Sequence, residues 1–422
     1  MKKTSLILVV LLISLMFCQP VLATGIGLEV NKQSLSSPEL YIEKDITMAP
    51  LDFFAQISGC SHKWLSEDTV EIAGEGKKIT LSIGNREVFL DGKSLQMPNA
   101  PVIKGSQFFI PLRFVCDVFD FEVNWNAEQR TVILDRVQTR DGSTAIDLLV
   151  KANQASQKFN TYDFDGTMEM AYTINADGKQ MLDPPLEMIT TFTGSIQNQP
   201  LQMYMKQKVS VSGEQVAEDM VMESYMHEDK MYMKAPGQEW TYMDLPFSAD
   251  FFKQQQEIQS DPLKAVAQMQ EMGIVCNFSD DLTLNGKDYY VINSMIDPDK
   301  FRQATGKMIE QMLPAVNPEL EASNFNDFMH KMFEKMDLDY YMSAYINKKT
   351  LVSEVIKFNS RMAINLDKSD FAFVEAATDG DIPQNTWIDM TQKGMFNITG
   401  LDKSFSPPDI SQATQLSFEG IN

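Results

Sequence analysis

Histidine is almost missing from this chain of 422 residues, which has only three: His62, His227 and His330. They lie far apart and none belongs to a His-Glu-x-x-His pair, so the helical zinc-hydrolase pattern is excluded. Cysteine is equally sparse, with four, too few for a disulfide scaffold. No Gly-x-Ser-x-Gly elbow or phosphate-cradling glycine loop occurs, and Gly25-Ile26-Gly27 falls at the expected start of the mature chain. Carboxylate pairs such as Asp280-Asp281 and Asp379 with Asp381 read as turn residues, and no nucleophile has a base beside it. Basic residues are outnumbered 36 to 58, a formal net charge of −22. With no Lys/Arg cluster to interrupt it, that surplus repels phosphate backbones and anionic lipid surfaces and excludes nucleic acid as a partner. These absences leave no catalytic residue, no metal ligand set and no cofactor to name.

One apolar run is present, and it stands at the start. Lys2 and Lys3 precede Leu6 to Phe17, and Val21-Leu22-Ala23 offers a small-residue cleavage site, the pattern of a secretory signal peptide over residues 1–23. The run is shorter than the roughly 20 residues needed to span a bilayer. A lipid anchor at Cys18 is the other alternative, opposed by the bulky Phe17 before it. The mature chain, from about Thr24, is expected to be secreted, extracytoplasmic and associated with the cell wall. Cys60 and Cys116 either pair there or serve as small buried apolar residues.

Residues 24–136 carry an internal repeat. Met48-Ala49-Pro50-Leu51-Asp52-Phe53-Phe54 aligns with Phe109-Ile110-Pro111-Leu112-Arg113-Phe114-Val115, and at the same offset Trp64 aligns with Trp125. Each Pro-Leu is followed by a short predicted helix, and each Trp by a strand, Val70-Glu71-Ile72 or Thr131-Val132-Ile133-Leu134. Between the copies, Lys78 to Ile83 and Glu87 to Leu90 alternate as strands, and Asp91-Gly92 signals a tight turn. Arg113, exposed to a ligand reading by its place after Pro-Leu, is expected to cap or pair within the domain. The pattern from Val88 to Asp91, Pro111-Leu112-Arg113 and Glu122-Val123-Asn124-Trp125-Asn126 resembles the N-terminal domain of copper amine oxidases. In that family this domain is an appendage without the metal ligands, so the resemblance implies a fold and no copper chemistry. Asp52 departs from it where the second copy has Arg113.

The composition turns polar from Asp135 to Ser143, and residues 137–142 are expected to link to a second domain, 143–422. Ala145 to Phe159 spaces its apolar residues as a helix. Phe164–Ile174, Glu187–Ile196, Leu201–Val211, Glu218–His227, Lys230–Lys234 and Glu239–Met243 alternate as antiparallel strands. Helices are expected over Phe251–Met272 and Asp299–Met336, the latter broken near Pro314 and Pro318, with a hairpin at Asn285-Gly286 between them. Strands return at Leu338–Asn347, Leu351–Asn365, Lys368–Thr378 and Phe396–Ile398. This order makes an α+β domain.

Methionine recurs at alternate positions in four of these strands: Met168 and Met170, Met203 and Met205, Met220 and Met222, Met231 and Met233. Residues i and i+2 of a strand share a face. If the strands are neighbours in register, the eight thioethers coat one side of a sheet, as either a cavity lining for variable apolar ligands or a core under helices. Thioethers also suit Cu(I), but without histidine or cysteine beside them they read as core. The stretch Tyr225 to Met233 with Gly237-Gln238-Glu239-Trp240, and Tyr340 to Leu351, resembles an uncharacterised family of secreted bacterial proteins similar to LolA/LppX-type lipoprotein carriers. The resemblance implies a curved antiparallel half-barrel closed by helices over an apolar cavity, and a non-enzymatic envelope protein binding a lipid or a cell-wall partner. The alternative is a structural or protein-interaction module with a self-filled core, in which Trp240 and Tyr242 are contacts unless packed. A wall hydrolase would need a cleft with converging carboxylates.

Overall fold

A computed structural model describes residues 26–36, 39–182, 184–212, 220–244, 261–304, 306, 331–371 and 382–415. The N-terminal part runs β1 (Gly27–Val30), β2 (Gln33–Leu35), β3 (Tyr41–Glu43), β4 (Ile46–Pro50), α1 (Leu51–Ser58), β5 (Ser61–Trp64), β6 (Thr69–Gly74), β7 (Lys77–Ser82), β8 (Glu87–Leu90), β9 (Lys93–Gln96), β10 (Val102–Lys104), β11 (Gln107–Pro111), α2 (Leu112–Val118), β12 (Glu122–Asn126) and β13 (Thr131–Asp135). These strands form three sheets, ordered β12-β13-β1-β2, β10-β11-β4-β3 and β5-β6-β7-β8-β9. Alternation decides what each strand buries: Val70 and Ile72, Ile79 and Leu81, and Val132 and Leu134 turn inward while their neighbours face water.

Pro50 and Pro111, at φ −60° and −64°, stand where strand passes into helix, a step that tolerates a fixed φ and a missing N–H. The segments β4-α1-β5-β6 and β11-α2-β12-β13 follow the same order of elements. β4 and β11 pair antiparallel, with Met48 opposite Pro111 and Pro50 opposite Phe109. α1 ends at Gly59, whose φ of +72° closes the helix in the left-handed conformation. Asp91 and Gly92, both at positive φ, make the expected tight turn between β8 and β9.

The rest of the described chain comprises α3 (Ala145–Ser156), β14 (Thr161–Ala176), β15 (Lys179–Gln180), β16 (Leu186–Gln197), β17 (Gln202–Val211), β18 (Met220–His227), β19 (Lys230–Lys234), β20 (Thr241–Asp244), α4 (Pro262–Glu271), β21 (Ile274–Phe278), β22 (Leu282–Leu284), β23 (Lys287–Ile296), β24 (Met336–Asn347), β25 (Ser353–Asp367), β26 (Asn385–Leu401) and β27 (Thr414–Gln415). The strands make one 14-stranded sheet along the path β21-β23-β24-β25-β26-β14-β16-β17-β18-β19-β20-β27. It is an open half-barrel, and the molecule is α+β with β predominant. Thr144 and Asp147 form a reciprocal capping box that starts α3. Asp261 caps α4, with Pro262 in its first turn.

Several expectations change. Lys368–Phe371, expected to open a strand, is a turn of 3₁₀ helix. Asp370 explains it: its buried carboxylate accepts from the Asp367 amide at 2.8 Å and from Lys335 Nζ, and these side-chain bonds bend the chain away from the ladder. β26 extends far beyond the expected Phe396–Ile398, and α3 stops before Phe159. Within the expected helix 251–272, α4 is the described part. Helix 299–336 is described only at its two ends, and Met336 already belongs to β24. The leader with Cys18, residues Gly25, Pro314, Pro318, His330, Asp379 and Asp381, and 372–378 of the expected strand lie outside the described residues. Cys60, Cys116 and Cys276 are free and buried, so Cys60 and Cys116 act as small apolar residues and do not pair. Among the described residues no helix is long and apolar enough to cross a membrane.

Candidate functional site

The register of the large sheet assigns every side chain to a face, because residues directly opposite each other in an antiparallel pair point to the same side. Tyr162 opposes Ile196, Ile196 opposes Met203, Met203 opposes Met226, Met226 opposes Met231, and Met231 opposes Met243. This makes one continuous row across six strands. The next row runs Phe164, Gly194, Met205, Ser224 and Met233. Two rows further on, Met168 opposes Thr190, Thr190 opposes Val209, and Val209 opposes Met220. Met222 opposes Gln207 between them, and Met170 opposes Met188 beyond. Met168, Met170, Met203, Met205, Met220, Met222, Met231 and Met233 thus share one face.

Met188, Met226, Met243, Met336, Met342, Met362 and Met390 share it too and were not singled out from the sequence. Met226 stands an even number of positions from Met222, the same phase signal that marked the pairs. On β17–β20 the apolar residues of this face are all methionine except Val209 and Val211, although β-branched residues suit strands better. Most of these methionines are half-buried; Met220 and Met233 are the exposed ones, at 44% and 36%. Gln392 Nε2 donates to the sulfurs of Met170 and Met168 at 3.2 and 3.5 Å.

Towards β24 the face changes character. Phe164, Phe192 and Phe396 cluster, with Phe164 stacked on Phe396 at 5.0 Å. Glycine makes room for the rings: a Cβ on Gly166 would sit 2.3 Å from the Phe192 ring, and one on Gly194 2.4 Å from the Phe164 ring. Beside this cluster lies a cavity of about 670 Å³ between α3 and the sheet. Its walls are Leu149 and Ala152 of α3 and Met342, Ala344, Ile356, Phe396 and Ile398 of the sheet, with Tyr162 and Leu401 at the edge where the methionine row begins. Asn153, Ser156, Gln157, Asn198 and Gln199 supply the polar part. Ser353 Oγ, also in the lining, is buried without a partner.

The opposite face of the same sheet is polar over β14–β19, where Thr167, Glu169, Thr191, Thr193, Lys206 and Lys208 alternate with the apolar set. At β21 and β23 it receives the N-terminal part: Val275 and Met295 join the core that contains Phe54 and Ile57 of α1. Asn277 Nδ2 donates to Ile57 O, Asn293 Nδ2 to Gly59 O at 3.2 Å, and Ser36 Oγ to Asp297 at 2.8 Å. The expected linker takes part. Arg140 pairs with Glu75 at 2.7 Å, and Asp141 accepts from Tyr290, which holds the Tyr290 hydroxyl's pKa up at about 12.

Where α1 and β5 meet β24 and β25 there is a second cavity, about 590 Å³ and charged. His62 Nε2 bonds Asp52 Oδ1 at 3.1 Å, and that bond holds the Asp52 carboxyl below its usual range. Asp339, at the rim, is pushed upward by enclosure and then by Asp337, against the pull of Arg361. Arg361 itself is held by Asp389, at 2.9 Å from Nε. The carboxylates that sequence spacing did not bring together, Asp52 and Asp339, therefore line one cleft. Cys60 beside them is no nucleophile, because burial pushes its thiol up to about 11. Among the described residues no group of three or more His, Cys, Asp or Glu could hold a metal ion. Arg113 donates to Val123 O at 2.6 Å, within its own domain as expected, and Trp240 is packed, at 6% exposure.

Residues 29–134 match the copper amine oxidase N-terminal domain. No curated protein matches the chain. Among solved structures it is similar to the lipoprotein LppX of Mycobacterium tuberculosis (10% identity, 62% of this chain and 97% of that one, TM-score 0.27) and to LprF of Mycobacterium bovis (12%, 63% and 96%, 0.28). It is also similar to a putative outer membrane lipoprotein-sorting protein domain of Vibrio parahaemolyticus (8%, 61% and 91%, 0.19). Residues 144–380, more than half of the chain, match a family of unknown function (DUF6612), and the chain belongs to that family.

Proposed function

We propose that this member of the DUF6612 family binds an apolar ligand, a lipid or the acyl part of a lipoprotein, on the methionine face, and does no chemistry on it. The observation that carries this is the register: eight alternating methionines and seven more occupy one side of the sheet, in rows that lead out of the cavity under α3. Methionine suits the role better than leucine, because its unbranched thioether repacks around differing shapes. α3 packs against β21, β24 and β25 and α4 against α3 and β21, at the end of the sheet where the cavity lies. In this reading Met168, Met170, Met203, Met205, Met220, Met222, Met231 and Met233 line the ligand path.

The same reading places a leader at 1–23, an extracytoplasmic, wall-associated mature protein, a small domain at 24–136 built from two copies of a strand-helix-strand-strand unit, a link at 137–142 and the binding domain at 143–422. The matched order of β4-α1-β5-β6 and β11-α2-β12-β13 supports the doubling. Native mass spectrometry of the mature protein from its own secretion route, followed by organic extraction, is the test. A stoichiometric apolar molecule is expected. An apo mass that takes up no added lipid would sink the reading.

A second reading, a module that docks an envelope protein, is favoured by a groove of about 580 Å³ on the N-terminal part. There Ile42 and Trp125 are 48% and 41% exposed beside Phe114 and Arg113.

A further inference from the structure

We infer that the ligand of the cavity under α3 is a lipid whose polar end is uncharged, a hydroxyl, ester or amide, and carries neither phosphate, carboxylate nor ammonium. The inference rests on the apolar-ligand reading and adds a substrate class to it. The cavity wall facing the sheet is aliphatic and aromatic, and its polar part is made of amides and hydroxyls. Asn153, Ser156 and Gln157 come from the last turns of α3, and Asn198 and Gln199 from the turn between β16 and β17. Among the described residues that line it, none is charged.

The contrast lies in the same two strands. β24 and β25 offer Met342, Ala344 and Ile356 to this cavity and Asp339 and Arg361 to the cleft on the other side. In a chain of net charge −22 an uncharged lining is a local exception. Of the charged residues within two positions of the lining, Asp163 and Lys403 pair with each other at 3.0 Å beside Tyr162 and Leu401, and Lys158, which follows Gln157, is exposed and stays outside the lining.

Charge in a ligand headgroup would lose water here without gaining an opposite charge, and such an exchange is unfavourable. An anionic end is opposed further by the surplus of carboxylates over the whole surface. Amides satisfy an uncharged end well, because each carries both donors and an acceptor and can serve a hydroxyl or an ester carbonyl. Gln157 and Gln199 are exposed and mark the rim, whereas Ala152, Ala344 and Val352 are buried and mark the floor. The acyl chain therefore enters first and the polar end stays between the α3 terminus and the β16–β17 turn.

The test uses three probes with one oleyl-type chain and three ends: monooleoylglycerol, oleate and an oleyl quaternary ammonium, each offered below its critical micelle concentration to the delipidated mature protein and read by native mass spectrometry and competition. Monooleoylglycerol is expected to bind at least tenfold more tightly than either ion. Equal or tighter binding of oleate or the ammonium would overturn the inference and leave the apolar-ligand reading standing. Failure of all three to bind would overturn both. A rim variant, Gln157→Lys, is exposed enough to fold, and it is expected to move the ratio of oleate to monooleoylglycerol affinity at least severalfold toward oleate. An unchanged ratio would place the polar end elsewhere and overturn the assignment.

Discussion

Asn293, on β23, donates from Nδ2 to the carbonyl oxygen of Gly59, the residue that ends α1, at 3.2 Å and across 234 positions of sequence. The bond needs the left-handed turn at Gly59, which aims that carbonyl at the second sheet. A helix stop in one part of the chain is thereby a docking point for the other, and the packing of Val275 and Met295 into the N-terminal core follows from it.

Gly59→Ala is expected to destabilise the protein by about 2–4 kcal/mol, since an L side chain at this φ is strained and the new Cβ would also meet a backbone oxygen. That Cβ would lie 2.3 Å from Phe278 O, which cannot swing aside as a flexible side chain would. Urea unfolding checks this. By contrast Gly178→Ala, at φ +76° with nothing within 4 Å, is expected to cost only about 1 kcal/mol from backbone strain.

Arg136→Met should cost about 3 kcal/mol, because it strands buried carbonyl groups that have no water to turn to. The Arg136 guanidinium donates to Ser58 O and to Phe119 O, the latter at 3.2 Å, and lies 4.2 Å over the Phe121 ring. Methionine fills the space but offers no donor. Thermal melting would show the loss, and an unchanged midpoint would mean that those carbonyls find other partners.

Acid should loosen the end of β25. Lys335 bonds Asp367 at 2.7 Å and also holds Asp370, and the Lys335 bond is the main reason the Asp367 pKa falls to about 2. A carboxylate whose folded pKa is depressed adds stability above its ordinary pKa near 4, and that stability is lost as pH falls from there through 2. Lys335→Gln is expected to be less stable than the parent at pH 7, with most of that gap closed by pH 2. A constant gap across that range would show that the ion pair carries no pH-dependent stability.

The three described thiols should be silent to Ellman's reagent in the folded protein and react on unfolding in guanidinium. Burial raises the Cys60 and Cys276 thiols to about 11 and Cys116 further, so little thiolate exists at neutral pH. Rapid reaction of the native protein would contradict the buried placement.

Peroxide should oxidise Met220 and Met233 before Met203, Met226 and Met231, because sulfoxide formation follows access. Peptide mass spectrometry at low conversion gives the order. Uniform oxidation would mean that the face is evenly open.

The methionine pairs were legible because strand alternation is local: a two-residue period needs no knowledge of neighbours. Their meeting on one face was not, since it depends on which strands pair and in what register. β26 was mostly invisible for a related reason. Asp389, Thr391 and Lys393 hold its solvent side, and Thr386, Gln392 and Gly394 interrupt its apolar side, where Gln392 serves methionine sulfurs and Gly394 the Phe358 ring. The turn at Lys368–Phe371 was missed because Asp370 bonds through a lysine more than thirty positions upstream.

Composition, charge balance and period by themselves determined the class of the protein: an α+β chain with a polar seam near residue 140 and no assembled chemistry in its motifs. Those properties reside in single residues and their near neighbours. Only the tertiary structure decided that fifteen of the described methionines share a face, that an uncharged cavity and a charged cleft lie on opposite sides of β24 and β25, and that Cys60 and Cys116 stay apart. Each of these depends on long-range pairing, and pairing is set by how the whole sheet buries its apolar side.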